Sequence, residues 1–333
     1  MATPSLASWA GEPLSILLAA LLLDALFPPM TALTRVVPNP VDATAAFARW
    51  LARRLDRPYR SEGTRLVRGV LATAVIVGLA AALGRGVETL CARTPYAVPL
   101  EALLLVLVLG QRRTFAAVRA GAEALARGPG GLVGARSRVA CLLAPGWDAT
   151  ELDAHGVARI AVEAAAVGFA ERVVAPVFWF LLLGLPGALA AVAANAIAER
   201  GPRAGRFSRP AVRLDDALQF LPMRLAAFML ALAALFVPRA HPIAAIEAMT
   251  SDGAKHPTLN LGWPIAAMAG ALGLRLAGPR RRVDGGASEG AWIGDGRTQA
   301  ERRDVERALY LFVLASAINA ALVALLEFLE QTI

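Results

Sequence analysis

The sequence predicts an all-α fold: a polytopic integral membrane bundle of about five spans, with re-entrant or amphipathic helices between them. Three observations carry that expectation. Of 333 residues, 57% are hydrophobic and only 18% charged, whereas a soluble domain carries roughly 45–50% apolar and about 25% charged residues. The apolar residues gather in long charge-free runs, and mean hydropathy reaches +0.54. Basic residues outnumber acids by 34 to 26, with Lys255 the only lysine, and the arginines collect between the runs, as in cytoplasmic loops facing anionic headgroups. The same arithmetic excludes a disordered chain, a disulfide scaffold and collagen. The lipid bilayer is therefore an expected partner. Nucleic acid is not, because the arginines are spread over several loops without interleaved aromatics.

The first run, Leu14 to Phe27, is broken only by Asp24. Met1 to Ser8 lacks a basic segment and a convincing cleavage site, so the run is read as a retained span. Arg35, Arg49, Arg53, Arg54, Arg57, Arg60, Arg65 and Arg68 separate it from Gly69 to Gly84. Ala97 to Gly110 carries only Glu101, and Gln111 to Arg172 is again rich in arginine. The positive-inside rule puts both of these arginine-rich loops in the cytoplasm. Thr114 to Ala126 has apolar residues at helical spacing and ends at Gly128-Pro129-Gly130-Gly131. No strand precedes that glycine cluster and no Lys-Ser/Thr follows, so it reads as a turn rather than a phosphate cradle. Residues 1–333 are expected to form one domain, with 111–172 as its cytoplasmic helical loop.

Val173 to Ala198 is charge-free but lies between two basic loops, which a single crossing would separate. It contains Pro176, Gly184, Pro186 and Gly187, all helix breakers or benders. A hairpin entering and leaving on the cytoplasmic face satisfies both facts; a kinked ordinary span is the rival. Leu225 to Pro238 and Ala308 to Leu326 complete the runs. Several are shorter than the roughly 20 residues that cross about 30 Å of hydrocarbon, so flanking residues must extend them.

Few residues advertise chemistry. Cys91 and Cys141 stand alone, and three histidines (His155, His241 and His256) are too few for a multi-histidine metal centre. Asp215 and Asp216 sit between Arg213 and Arg224. Paired carboxylates hold Mg²⁺ beside a nucleotide; equally, acids there suit the first turn of a helix. Arg224 enters an apolar stretch, where a cation faces a cavity or partner or snorkels to headgroups. His256 and Asn260, in a turn-forming stretch before Ile265 to Leu272, either bind a ligand or close the turn. Trp292 to Gly296 reads as a tight loop before a helix beginning near Thr298.

Taken in order, these segments resemble the CobD/CbiB cobalamin-biosynthesis family over most of the chain. The similarity is carried by Asp24, Pro38-Asn39-Pro40-Val41, Gly146-Trp147-Asp148 with Leu152-Asp153, and Val162-Glu163 followed by Val173 to Trp179. Asn195, Val212 to Asp216, Pro222 to Leu225, Asn260 to Pro264, Met268 to Leu272 and Trp292 to Gly296 continue it. Departures fall at Asn39, where the family usually has histidine, at Ala166 to Arg172 and at Asn195 to Glu199.

The resemblance implies a multi-pass membrane enzyme with a cytoplasmic site. It would join adenosylcobyric acid to aminopropanol, or its phosphate, through an amide bond. ATP and Mg²⁺ are the implied cofactors, Asp215 and Asp216 the implied metal ligands. Glu163, Asp215, Asp216 and Arg224 are the implied catalytic residues; Arg213, His256, Asn260 and Asn195 would bind cofactor or substrate. Other corrinoid-pathway enzymes are candidate partners. The alternative is a non-catalytic, AmpE-like membrane signalling protein that keeps the bundle, favoured by the altered stretch around Val167-Gly168. A transporter is weakly supported, since no repeated half is visible.

Overall fold

A computed structural model describes residues 13–26, 40–57, 59–143, 146–200, 205–288 and 290–332. Asn39 and the segment before Pro13 lie outside the described residues. In chain order the helices are α1 Pro13–Leu26, α2 Pro40–Leu55, α3 Glu62–Arg93, α4 Val98–Val108, α5 Gln111–Leu125, α6 Leu132–Ala140 and α7 Ala154–Phe169. A π-helical turn, Ala170–Val174, leads into α8 Ala175–Arg200, followed by α9 Arg209–Ala233, α10 Pro242–Asp252 and α11 Gly262–Leu272. Strands β1 Leu276–Ala277, β2 Arg280–Arg281, β3 Ala287–Ser288 and β4 Trp292–Ile293 precede α12 Arg302–Thr332. The fold is helical, as the apolar runs predict. Four stretches among the described residues are long and apolar enough to cross a membrane: Glu62–Arg93, Ala154–Glu199, Arg209–Ala233 and Arg302–Thr332. The runs at α1 and α11 make shorter apolar helices.

The chain divides into two compact units. The first comprises Met1–Gly110, Ala175–Gln219 and Ala320–Ile333. Its α3 presents Val67, Leu71, Val75, Leu79 and Leu83 outward, a one-turn spacing that makes an apolar stripe suited to lipid. On another face small residues admit close neighbours. A side chain at Gly69 would meet the Phe207 carbonyl at 2.1 Å, and one at Gly84 the Pro186 nitrogen at 2.6 Å. Ile76 packs with Ala48, Ile197 and Ala211 between these points. The C-terminal arm of α8 therefore runs antiparallel to α3.

The break foreseen in this run is at Gly184, whose φ of 68° and ψ of −159° interrupt α8. A side chain at Gly187 would lie 2.6 Å from the Trp179 carbonyl oxygen, although eight helical residues rise about 12 Å. The axis therefore bends sharply. Glu88 of α3 reaches the bend and accepts the Leu185 N–H at 2.8 Å, satisfying a donor that begins the second arm. Pro186 follows, where a missing N–H costs nothing.

The second unit comprises Gln111–Val174 and Phe220–Asn319. Ala124, Ala135, Val139, Val157 and Ile160 form its cluster between α5, α6 and α7. Phe169 and Phe312 meet edge-to-face at 6.0 Å, joining α7 to α12. α10 and α11 form a tight hairpin closed by the His241 N–H on the Ala271 carbonyl at 2.9 Å. The span between them and α12 is not a simple loop. β1 pairs antiparallel with β4 (Leu276 with Ile293), and β2 with β3 (Arg280 with Ser288). Trp292 and Ile293 thus lie in a strand. α12 starts at Arg302 rather than near Thr298, because the carbonyls of Thr298 and Ala300 are occupied by Arg159 and His155.

Candidate functional site

Glu163 is the best-defined of the expected residues. It lies on the buried face of α7, only 5% exposed. One carboxylate oxygen accepts the Ala277 N–H at 2.8 Å, and the other pairs with Arg280. Ala277 has a positive φ of 57°, uncommon outside glycine, so the contact holds a strained backbone in place. Around this pair opens a cleft of about 180 Å³, lined by Trp147, Asp148, Glu151, Arg159, Glu163 and Arg280 among others. Its rim is stitched together by backbone bonds from Asp148 N to the Arg281 carbonyl and from Val283 N to the Gly146 carbonyl, both 3.0 Å.

Arg224 and Asn260, expected in one site, do meet. The guanidinium lies 3.6 Å from the Phe220 ring centroid and 4.4 Å from that of Trp263. It donates to the Phe220 carbonyl at 2.6 Å and to Asn260 Oδ1 at 3.3 Å. The chain after α9 therefore turns back to the level of Arg224. Two aromatic faces hold the cation by its attraction to their π clouds.

His256 closes the turn before Asn260: its Nδ1 accepts the Thr258 N–H at 3.1 Å. Burial holds its pKa below the ordinary histidine value, although the Thr258 carbonyl, 3.2 Å from Nδ1, and Glu163 pull it upward. The folded protein thus keeps this ring neutral more firmly than the unfolded chain, whose ordinary value is about 6.5. Its contribution to stability is complete above that pH and is lost as pH falls through it, because the unfolded chain then binds the proton first. Wild type is expected to unfold at a lower temperature at pH 5.5 than at pH 7.5. His256→Gln should show a smaller difference; an equal difference would exclude the ring as the source.

In the first unit, α9 begins at Arg209, so Asp215 and Asp216 stand in its second turn and not at its cap. Asn195 and Gln219 approach the Asp215 carboxylate, with Glu199 close by. Asp215 Oδ1 and Gln219 Oε1 are both buried without a hydrogen-bond partner. Arg213 lies near Asp216. Among the described residues no group of three or more His, Cys, Asp or Glu is placed to hold a metal. A cation at Asp215 would therefore draw on amide oxygens and on a bound ligand, as Mg²⁺ commonly does.

The CobD/Cbib protein family profile matches residues 17–312. The chain belongs to the CobD/CbiB family. Curated relatives named "Cobalamin biosynthesis protein CobD" agree along most of the length. One from a Sinorhizobium species is 35% identical over 320 residues, covering 93% of this chain and 97% of the relative. One from Brucella melitensis is 32% identical, covering 93% and 95%. One from Rhodobacter capsulatus is 33% identical, covering 80% and 85%. No solved structure matches this chain.

In this CobD/CbiB chain the segments that carried the resemblance acquire structural roles. Asp148 accepts the Thr150 N–H and hydroxyl at 2.8 and 2.7 Å, Asp153 caps α7 on Gly156 at 2.6 Å, and Asp252 accepts the Gly294 N–H at 2.8 Å. Sequence reading missed Arg159, Arg280 and Arg281, which line the cleft with Glu163. The signal was present as Arg280-Arg281-Arg282. It was absorbed into the arginine excess that marks membrane sidedness.

Proposed function

We propose that this protein acts in cobalamin biosynthesis, joining the carboxylate of adenosylcobyric acid to aminopropanol or its phosphate. Membership of the CobD/CbiB family supports the pathway. The observation that carries the chemistry is the oxygen pair at Asp215 and Gln219. Two buried acceptors without donors are costly, and a hard cation relieves them, since oxygen is its preferred ligand. Asp215 Oδ1 and Gln219 Oε1 would hold Mg²⁺, which would supply charge neutralisation to a phosphoryl group.

A carboxylate and an amine do not condense in water, so ATP is the expected activator, phosphorylating the acid and leaving as ADP. The amine nitrogen then forms the C–N bond as phosphate departs with the C–O electron pair. The test uses full-length protein in nanodiscs with adenosylcobyric acid, ATP, Mg²⁺ and either amine. Amide product dependent on ATP is expected by mass spectrometry. No product with either amine, from protein that binds both substrates, would overturn the reading.

A further inference from the structure

Helix α2 is amphipathic, and packing settles which face it buries. Val41, Ala45, Ala48 and Ala52 are buried, at the spacing of one helical face. Ala48 packs with Ile76 of α3, and Ala52 with Ala72. At the end of α2 the Leu55 carbonyl accepts from Arg68 at 3.0 Å, and Asp56 pairs with Arg65 at 2.6 Å. As α2 advances from 48 to 56, its partners on α3 retreat from 76 to 65, so the two helices lie side by side and antiparallel. The charge-free run of α3 starts at Gly69. Leu55 therefore stands at the outer edge of that run.

Trp50 and Phe47 precede Leu55 on α2, which puts them about 8–12 Å inside the edge at roughly 1.5 Å per residue. Both are exposed, and their rings stack at 5.7 Å with 13° between planes. Close to the edge and beyond it come Arg53, Arg54, Arg57 and Arg60, all exposed. The acids nearest them in sequence are engaged elsewhere, Asp56 with Arg65 and Glu62 with Arg206. The four guanidiniums therefore leave a net positive charge. Arg54 folds back, its Cζ 5.5 Å from the Trp50 ring centroid, which holds a cation at the depth of the ring instead of extending it to water. Exposed stacked rings at that depth require an apolar neighbour, and uncompensated arginines where headgroups begin require negative charge. A free anion meets only the second requirement, and a zwitterionic lipid brings its own cation to the arginines. We infer that this face of α2 binds an anionic phospholipid of the surrounding bilayer, its phosphodiester on Arg53 and Arg54 and its acyl chains against Phe47 and Trp50. Val70 and Leu71 of α3, exposed at the same level, add apolar surface.

The test is fluorescence quenching of full-length protein in phosphatidylcholine liposomes, titrated with dibrominated phosphatidylglycerol or dibrominated phosphatidylcholine. The chain has six tryptophans, so the Trp50 signal is taken as the difference between wild type and Trp50→Phe. Phosphatidylglycerol should reach Trp50 with at least about fivefold higher relative affinity, the worth of one arginine near an anionic surface. Arg53→Gln with Arg54→Gln should bring the two lipids to near equality and leave quenching by phosphatidylcholine unchanged, which also reports an intact fold. Arg53→Lys with Arg54→Lys keeps the charge and should retain the preference. Arg302→Gln, which removes an exposed arginine at the start of α12, should not alter it. No quenching of Trp50 by either lipid would take this face out of the bilayer, and equal quenching would remove the charge selection. An equal loss in Arg302→Gln would reduce the preference to general surface charge. Each of these overturns the inference. So does a preference abolished by inorganic phosphate but not by chloride at the same ionic strength, which would assign a free anion to the arginines.

Discussion

Asp215→Asn should lower amide formation by at least a hundredfold, the scale on which preorganised charge stabilises a transition state, while leaving the protein as stable as wild type or more so. The two halves of that expectation come from the same atoms. Asp215 Oδ1 and Gln219 Oε1 are each buried without a hydrogen-bond partner, although the Asn195 and Gln219 side chains bond to the Asp215 carboxylate. An amide in place of the carboxylate supplies a donor, which relieves the mismatch, yet it removes the negative charge that a divalent cation requires. A purely structural role would give the opposite pattern, in which asparagine substitutes without loss of activity. The measurements are product formation across a Mg²⁺ titration and the thermal unfolding midpoint in the same nanodiscs. Activity within a few-fold of wild type, with an unchanged Mg²⁺ requirement, would dismiss the cation site.

Gly184→Ala should have the largest effect on stability. The φ of 68° and ψ of −159° fall in a region open essentially to glycine alone, with a cost of about 1–3 kcal/mol for other residues. The added methyl would also lie 2.2 Å from Glu88 Oε1. That displaces the carboxylate from the Leu185 N–H, and an unsatisfied buried donor costs about 1–3 kcal/mol more. Together these amount to roughly 2–6 kcal/mol, against a typical total of about 5–15. Glu88→Ala removes only the second contribution and Glu88→Gln keeps an acceptor, so midpoints should fall in the order wild type, Glu88→Gln, Glu88→Ala, Gly184→Ala. An alanine at position 184 that leaves the midpoint unmoved would mean the bend is not required.

Much of the scaffold was readable from local pattern. The apolar runs marked the long helices, the glycines and prolines near Gly184 marked the break in α8, and the helical spacing after Gln111 marked α5. Each is a property of neighbouring residues, and secondary structure with 3.6-residue periodicity leaves that trace. The two-residue strands between Leu276 and Ile293 left none, because alternation needs at least four residues to register.

The composition by itself determined that this chain is a helical membrane protein, since 57% hydrophobic residues in uncharged runs leave no other way to satisfy the backbone in lipid. Ordered motifs placed it in its family. Only the tertiary structure decided that Glu163 pairs with a residue 117 positions away, that Arg224 is held by Asn260 between two rings, and that Asp215 stands inside a helix with an unmatched oxygen. Those are pairings across large sequence separations. They depend on which helix faces pack together, and composition along the chain carries no record of that.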